Sequence, residues 1–177
     1  MTQALGRRKN PKRELCRWFG SATETSSIFD SDFDPDVANP VVFHLHGYIE
    51  EIDSMVVTED DYLDFLVSIS KDQNLLPPAI RAAFSRTSLL FMGYRLADWD
   101  VRVLVRTLGS YVNISNASTH VSVQLTPDGP TVTEDEKKRT QKLFDRYFRN
   151  QRICVYWGTC REFCKDLRTR WESRNGG

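Results

Sequence analysis

The chain has 177 residues, and its 24 Lys plus Arg balance 24 Asp plus Glu, giving a formal net charge of zero. That length suits one domain with a real core, and 40% hydrophobic with 27% charged residues exclude a disordered chain. The neutral balance argues against nucleic acid as the partner. With no apolar run fit for a bilayer or a signal peptide, the expectation is a cytoplasmic protein without a membrane partner.

Residues 1–40 read as a polar, charged N-terminal segment. Arg7, Arg8, Lys9, Lys12, Arg13 and Arg17 form a basic block, and Glu24, Asp30, Asp32, Asp34 and Asp36 an acidic one. Neither has a sustained period, so a loop or tail is expected. From residue 41 the pattern becomes regular. Val41-Val42-Phe43-His44-Leu45-His46 is an apolar run ended by Gly47 and predicts a buried strand. Residues 54–57 form a weaker extended piece. Thr58 with Asp61 opens a helix whose Tyr62, Phe65, Leu66 and Ile69 share a face, and Pro77-Pro78 starts a short helix through Phe84.

Residues 88–92 predict a second apolar strand, closed by Gly93-Tyr94-Arg95. A helix from Asp98 carries Val101, Leu104, Val105 and Leu108 on one face. Residues 119–125 predict a strand. Thr133 with Glu136 caps a helix expected to bury Leu143, Phe144, Tyr147 and Phe148. Residues 153–157 predict the last strand, and Thr159 with Glu162 caps a helix whose Phe163, Leu167 and Trp171 recur every four residues. Alternation of strands and amphipathic helices predicts an α/β fold, an open parallel sheet flanked by helices. The strands at 41–46, 88–92, 119–125 and 153–157 are expected as neighbours in one sheet, with His46 and Gly93 at the same edge.

Ligands of an open parallel sheet bind beyond the carboxyl ends of its strands. That rule selects His46-Gly47, Gly93-Tyr94-Arg95, Gln124 to Thr126 and Gly158-Thr159, a surface suited to a nucleotide-like ligand. His46 reads either as a packed strand-end histidine or as a general base near neutral pH. His44 lies one pleat deeper and reads as structural, and His120, at a strand start, as a surface residue. Arg95 either clamps its loop through Asp98 or Asp100 or meets a phosphate, while Asp98 caps a helix. Trp99, Trp157 and Trp171 read as core or near-core. Cys16, Cys154, Cys160 and Cys164 form no paired C-x-x-C knuckles, so buried reduced thiols are expected and zinc is not.

Three linked stretches carry a family likeness: residues 41–47 ending in His-Gly, Val56-Val57-Thr58-Glu59-Asp60-Asp61-Tyr62, and Leu89 to Asp100 with Gly93-Tyr94-Arg95-Leu96-Ala97-Asp98-Trp99. Together they resemble bacterial sirtuin-like (silent-information-regulator type) domains of the anti-phage-defence kind, and Val155 to Trp171 fits their closing strand and helix. The resemblance implies a Rossmann-like domain over residues 41–173 with a small helical insertion at about 58–86. It implies cleavage of NAD between nicotinamide and ribose, with NAD as substrate and His46 as general base. Gly47, Gly93, Tyr94, Arg95, Gln124 and Thr159 would contact NAD, with Gly93, Tyr94 and Arg95 along its phosphate and ribose.

Arg95 stands where the family has serine. The family's "G-A-G-x-S" loop and "T-N-x-D" segment have no counterpart, so an N-terminally truncated copy lacking the first strand and glycine-rich loop is expected. The apolar face this would leave uncovered implies a homo-oligomer or the missing N-terminal part as partner. The alternative activity is an inactive NAD- or ADP-ribose-binding module. Protein deacylation is disfavoured, because residues 48–86 hold no cysteine for a zinc knuckle.

Overall fold

The apolar run at 41–46 becomes strand β2 (Val41–His44), and its partner is a segment with no apolar period, β1 (Lys12–Leu15). A computed structural model describes residues 1–19, 27–95, 98, 102–103, 119–126, 133–150 and 152–175. The chain divides into two compact units, Met1–Ala83 and Phe84–Gly177.

In the first unit β1 and β2 run parallel, from Lys12 opposite Val41 to Leu15 opposite His44. The Cys16 amide extends the ladder by donating to the His44 carbonyl at 3.0 Å. A loop or tail is therefore not what residues 12–15 form. The strand escapes a hydrophobic reading because three of its four residues are charged and one of its two buried residues is a glutamate. Glu14 is 3% exposed, and its carboxylate accepts from the Leu15 and Ile28 amides, the Ser27 hydroxyl and the Arg17 guanidinium at 2.6–2.9 Å. Four donors replace the water that burial removes.

Helix α1 (Thr2–Leu5) precedes this strand, and α2 (Glu59–Lys71) packs the unit's core. The Thr58 hydroxyl accepts from the Asp61 amide at 3.1 Å, and the Asp61 carboxylate accepts from the Thr58 amide at 2.8 Å. The 3.6-residue period then buries Tyr62, Phe65 and Ile69, with Leu76 beside them in the core. Residues 54–57 are not a strand. Ile52–Ser54 is a 3₁₀ turn, and only the Val56 amide reaches β2's extension, donating to the His46 carbonyl at 3.1 Å. Helix α3 (Pro78–Arg86) carries the chain into the second unit.

There β3 (Leu90–Phe91), β4 (His120–Gln124) and β5 (Ile153–Trp157) form a parallel sheet in that order. The architecture is thus α/β, with parallel sheets flanked by helices. Among the described residues, 41–44 pairs with 12–15 in the first unit, and 90–91, 120–124 and 153–157 pair in the second. Helix α4 (Glu134–Arg149) lays Phe144 and Phe148 against Ile153, Val155 and Phe91. Helix α5 (Cys160–Asn175) follows β5 and sets Phe163 edge-on to Tyr156, with ring centres 5.1 Å apart.

Several expectations about burial fail. Leu143 is 67% and Tyr147 44% exposed, because the helical period that turns Phe144 and Phe148 inward leaves their neighbours on the flank. The Arg102 guanidinium covers the Tyr147 ring at 5.4 Å. Leu167 is 51% and Trp171 69% exposed, so neither is a buried core residue, and the described ring contact of α5 is the one Phe163 makes. His120 is not a surface residue. It is 4% exposed, and its Nδ1 accepts from the Leu89 amide at 3.0 Å, tying β4 to the start of β3. Of the four free thiols only Cys16 is buried, while Cys154 and Cys164 are exposed. Burial pushes the Cys16 thiol up to about 12, so it stays protonated. Apart from Asp98, Arg102 and Val103, the expected helix from 98 lies outside the described residues, as does Trp99.

Candidate functional site

His46 stands two residues past β2, where the chain leaves the sheet. Its ring meets Phe65 edge-on with centres 4.9 Å apart and Tyr62 with centres 6.0 Å apart. Phe65 is fully buried and in turn meets Trp18 edge-on at 6.1 Å. The imidazole is therefore held by a wall of aromatic edges supplied by α2, and its backbone is fixed by the bond from Val56. Aromatic contacts of this kind limit ring rotation and shield one flank of the ring from water.

Gly47 shows why the turn after His46 needs glycine. Its φ is +88°, and a Cβ there would lie 2.2 Å from the Ser54 carbonyl oxygen. The approach that excludes a side chain is by its own chain. Ser54, fully buried, closes the turn: its hydroxyl accepts from the Tyr48 amide at 2.9 Å, and its carbonyl accepts from the Trp18 indole at 2.9 Å. His44 sits apart from this wall. Its ring lies 5.0 Å from Tyr48, and the Arg13 guanidinium is 4.2 Å above the same Tyr48 ring. Burial, then the Arg13 charge, holds the His44 imidazole below its ordinary value, favouring the neutral form.

The second unit gathers the other expected residues at the carboxyl ends of its strands. The Gln124 side-chain amide donates to the Tyr94 carbonyl at 2.8 Å, binding the loop after β3 to the end of β4. The Gly158 amide donates to the Gln124 carbonyl at 2.8 Å, which binds the end of β5 to the same place. Gly93 has φ +80°, and a Cβ there would meet nothing within 4 Å. Space beside a backbone held at positive φ is what a ligand approaching the amides needs. Tyr94 is 48% exposed and Arg95 is exposed.

Thr159 is differently engaged. Its amide and hydroxyl both donate to the Glu162 carboxylate, at 2.7 and 2.9 Å, and its hydroxyl accepts from the Glu162 amide at 3.2 Å. An anion reaching the start of α5 must displace that carboxylate first. Gly93, Tyr94, Gln124 and Thr159 thus share one sheet edge, with Arg95 next in the loop, while His46 and Gly47 belong to the other unit.

The sequence pointed to His46 but not to what holds it. Phe65 and Tyr62 were legible as core by their spacing, whereas nothing in Glu50 to Ser54 announces the turn that Ser54 closes. Among the described residues, no group of three or more His, Cys, Asp or Glu side chains could hold a metal ion. Nor is any described helix long and apolar enough to cross a membrane.

A family model for the SIR2-like domain matches residues 2–156, a span that takes in β1 to β4, most of β5, the His46 wall and the Gly93–Gln124 edge. Thr159 and α5 lie beyond it. No curated protein matches the chain. The chain belongs to the SIR2-like domain family and is a sirtuin-like, NAD-related protein.

Proposed function

We propose that the protein binds NAD and hydrolyses its nicotinamide–ribose bond, with His46 as general base. The observation that carries this reading is His46 itself. It is an imidazole at the carboxyl end of a parallel strand, pinned by Phe65 and Tyr62, within the span that matches the SIR2-like domain. The neutral ring accepts a proton from a ribose hydroxyl or the attacking water as the bond to nicotinamide breaks, and becomes imidazolium. The aromatic wall keeps that ring in one orientation through the transfer.

Gly93, with open space at a positive φ, fits the close approach of a pyrophosphate to backbone amides. Tyr94, Arg95 and Gln124 complete that contact, Arg95 by its charge and Gln124 by fixing the Tyr94 carbonyl. Gly47 keeps the His46 turn closed on Ser54 and Thr159 borders the same sheet edge as Gln124. The organisation we infer is a charged segment at 1–40 followed by the NAD-handling region at 41–173. Its setting, on the resemblance of residues 41–100 to defence-type domains, is depletion of NAD during anti-phage defence.

A second reading is favoured by Thr159, whose donors are already taken by Glu162. In it the chain holds NAD or ADP-ribose without turnover. Titration with ADP-ribose serves both readings. Hydrogen exchange should slow at residues 93–95 and 122–124, and Gln124→Ala should weaken binding about tenfold, the loss of one to two hydrogen bonds. Absence of protection there, with ADP-ribose saturating elsewhere or not at all, would contradict the assignment of that edge.

A further inference from the structure

We propose that Trp18, supplied by the charged N-terminal segment, is a positioning residue for His46. The inference rests on the reading of His46 as general base and extends its support to the chain just past β1. Strands β1 and β2 are in register with Leu15 opposite His44, and the Cys16 amide carries the ladder one step further. Trp18 comes three residues after Leu15 and His46 two after His44, so both leave the sheet at the same end. The bonds that the Glu14 carboxylate accepts from Ser27 and Ile28 anchor β1 where the tryptophan departs.

Two lines of contact run from the indole to His46. The first passes through backbone. The Trp18 indole N–H donates to the Ser54 carbonyl at 2.9 Å, and that same oxygen lies so close to Gly47 that no Cβ fits there. Two residues on, the Val56 amide donates to the His46 carbonyl at 3.1 Å. The indole bond therefore holds the peptide that presses residues 46–47 into their turn. The second line passes through rings. Trp18 meets Phe65 edge-on with centres 6.1 Å apart and planes at 90°, and Phe65 meets His46 edge-on with centres 4.9 Å apart. Backbone and ring restraints thus converge on one imidazole, and Trp18 belongs to both. A catalytic group displaced by about 1 Å from its proton costs on the order of a hundredfold in rate.

Steady-state nicotinamide release by the full chain tests this. Trp18→Phe keeps an aromatic edge toward Phe65 but has no donor for Ser54, and Trp18→Leu lacks both. The fall in kcat should be about tenfold in the first and about a hundredfold in the second, with KM within about twofold of wild type. In the His46→Ala background Trp18→Phe should cause no further loss, because Trp18 acts through that imidazole. A tryptophan that only fills the core would lower activity in proportion to folded protein and add its effect to that of His46→Ala. That result overturns the proposal, as does an unchanged kcat in Trp18→Leu. Absence of release by the wild-type chain overturns the reading of His46 as base and the role of Trp18 with it, whereas release insensitive to Trp18 overturns that role alone. Should neither variant fold, the wild-type chain still decides. By NMR its Trp18 indole proton should exchange with solvent roughly tenfold or more slower than that of free tryptophan, and exchange at the free rate overturns the proposal.

Discussion

Single residues in this protein do work that their neighbours reveal only in three dimensions. Glu14 is a charge at a core position, kept there by four donors. Burial alone would raise its carboxyl, but the bonds from Ser27, Arg17, Leu15 and Ile28 leave it below the usual range. His120 is the opposite case. Burial holds its imidazole below the ordinary value of 6.5, and its Nδ1 must stay unprotonated to accept from Leu89. A depressed folded-state value means that the stabilisation is complete above about 6.5 and is lost as pH falls through the folded value. We expect the thermal midpoint to drop on going from about pH 7 to about pH 5, and His120→Asn, which keeps an acceptor but cannot titrate, to flatten that drop. Equal slopes for the two proteins, by calorimetry, would show that the ring does not carry this dependence.

At the scale of elements, end signals proved more legible than faces. Thr58–Asp61, Thr133–Glu136 and Thr159–Glu162 are visible in sequence as Ser/Thr–x–x–acid pairs, and each forms a reciprocal cap. Strands β4 and β5 sit within a residue of their expected bounds, because unbroken apolar runs next to capped helices leave little freedom. Burial was less legible. The four-residue spacing of Phe163, Leu167 and Trp171 defines a face on α5 but not how deeply each residue is buried: Leu167 and Trp171 are exposed, while Phe163 meets Tyr156. Strand β1 was missed because Lys12, Arg13 and the buried Glu14 leave Leu15 as its one apolar residue, too little for a hydrophobic pattern to register. The account of α5 predicts that Thr159→Ala costs roughly 1 kcal/mol of stability, the usual value of such a cap. Leu167→Ala should cost less than about 0.5 kcal/mol, since exposed positions carry little. A larger loss from Leu167→Ala, read by chemical denaturation, would mean that the outer face of α5 is packed.

For the whole molecule, the sequence correctly indicated an α/β chain with parallel pairings and a sirtuin-like family, but not that residues 12–15 supply a strand beside 41–44. Pairing partners are long-range choices. Nothing in Val41–His44 says that residues 12–15 will lie beside it, because that segment carries no apolar period. The places of His46, Gly93 and Gln124 at or just past strand ends were legible, because strand runs are visible in the sequence. The candidate site was not legible at Ser54, whose role is to close a turn, or at Glu162, whose carboxylate occupies Thr159. The central claim is that His46 takes a proton in NAD cleavage, and nicotinamide release by the purified chain, compared with His46→Ala, tests it most directly. The account predicts release by the wild-type chain and a loss of roughly 10² to 10⁴ in the variant, with ADP-ribose affinity retained. No release by the wild-type chain, or equal release by the variant, would contradict it.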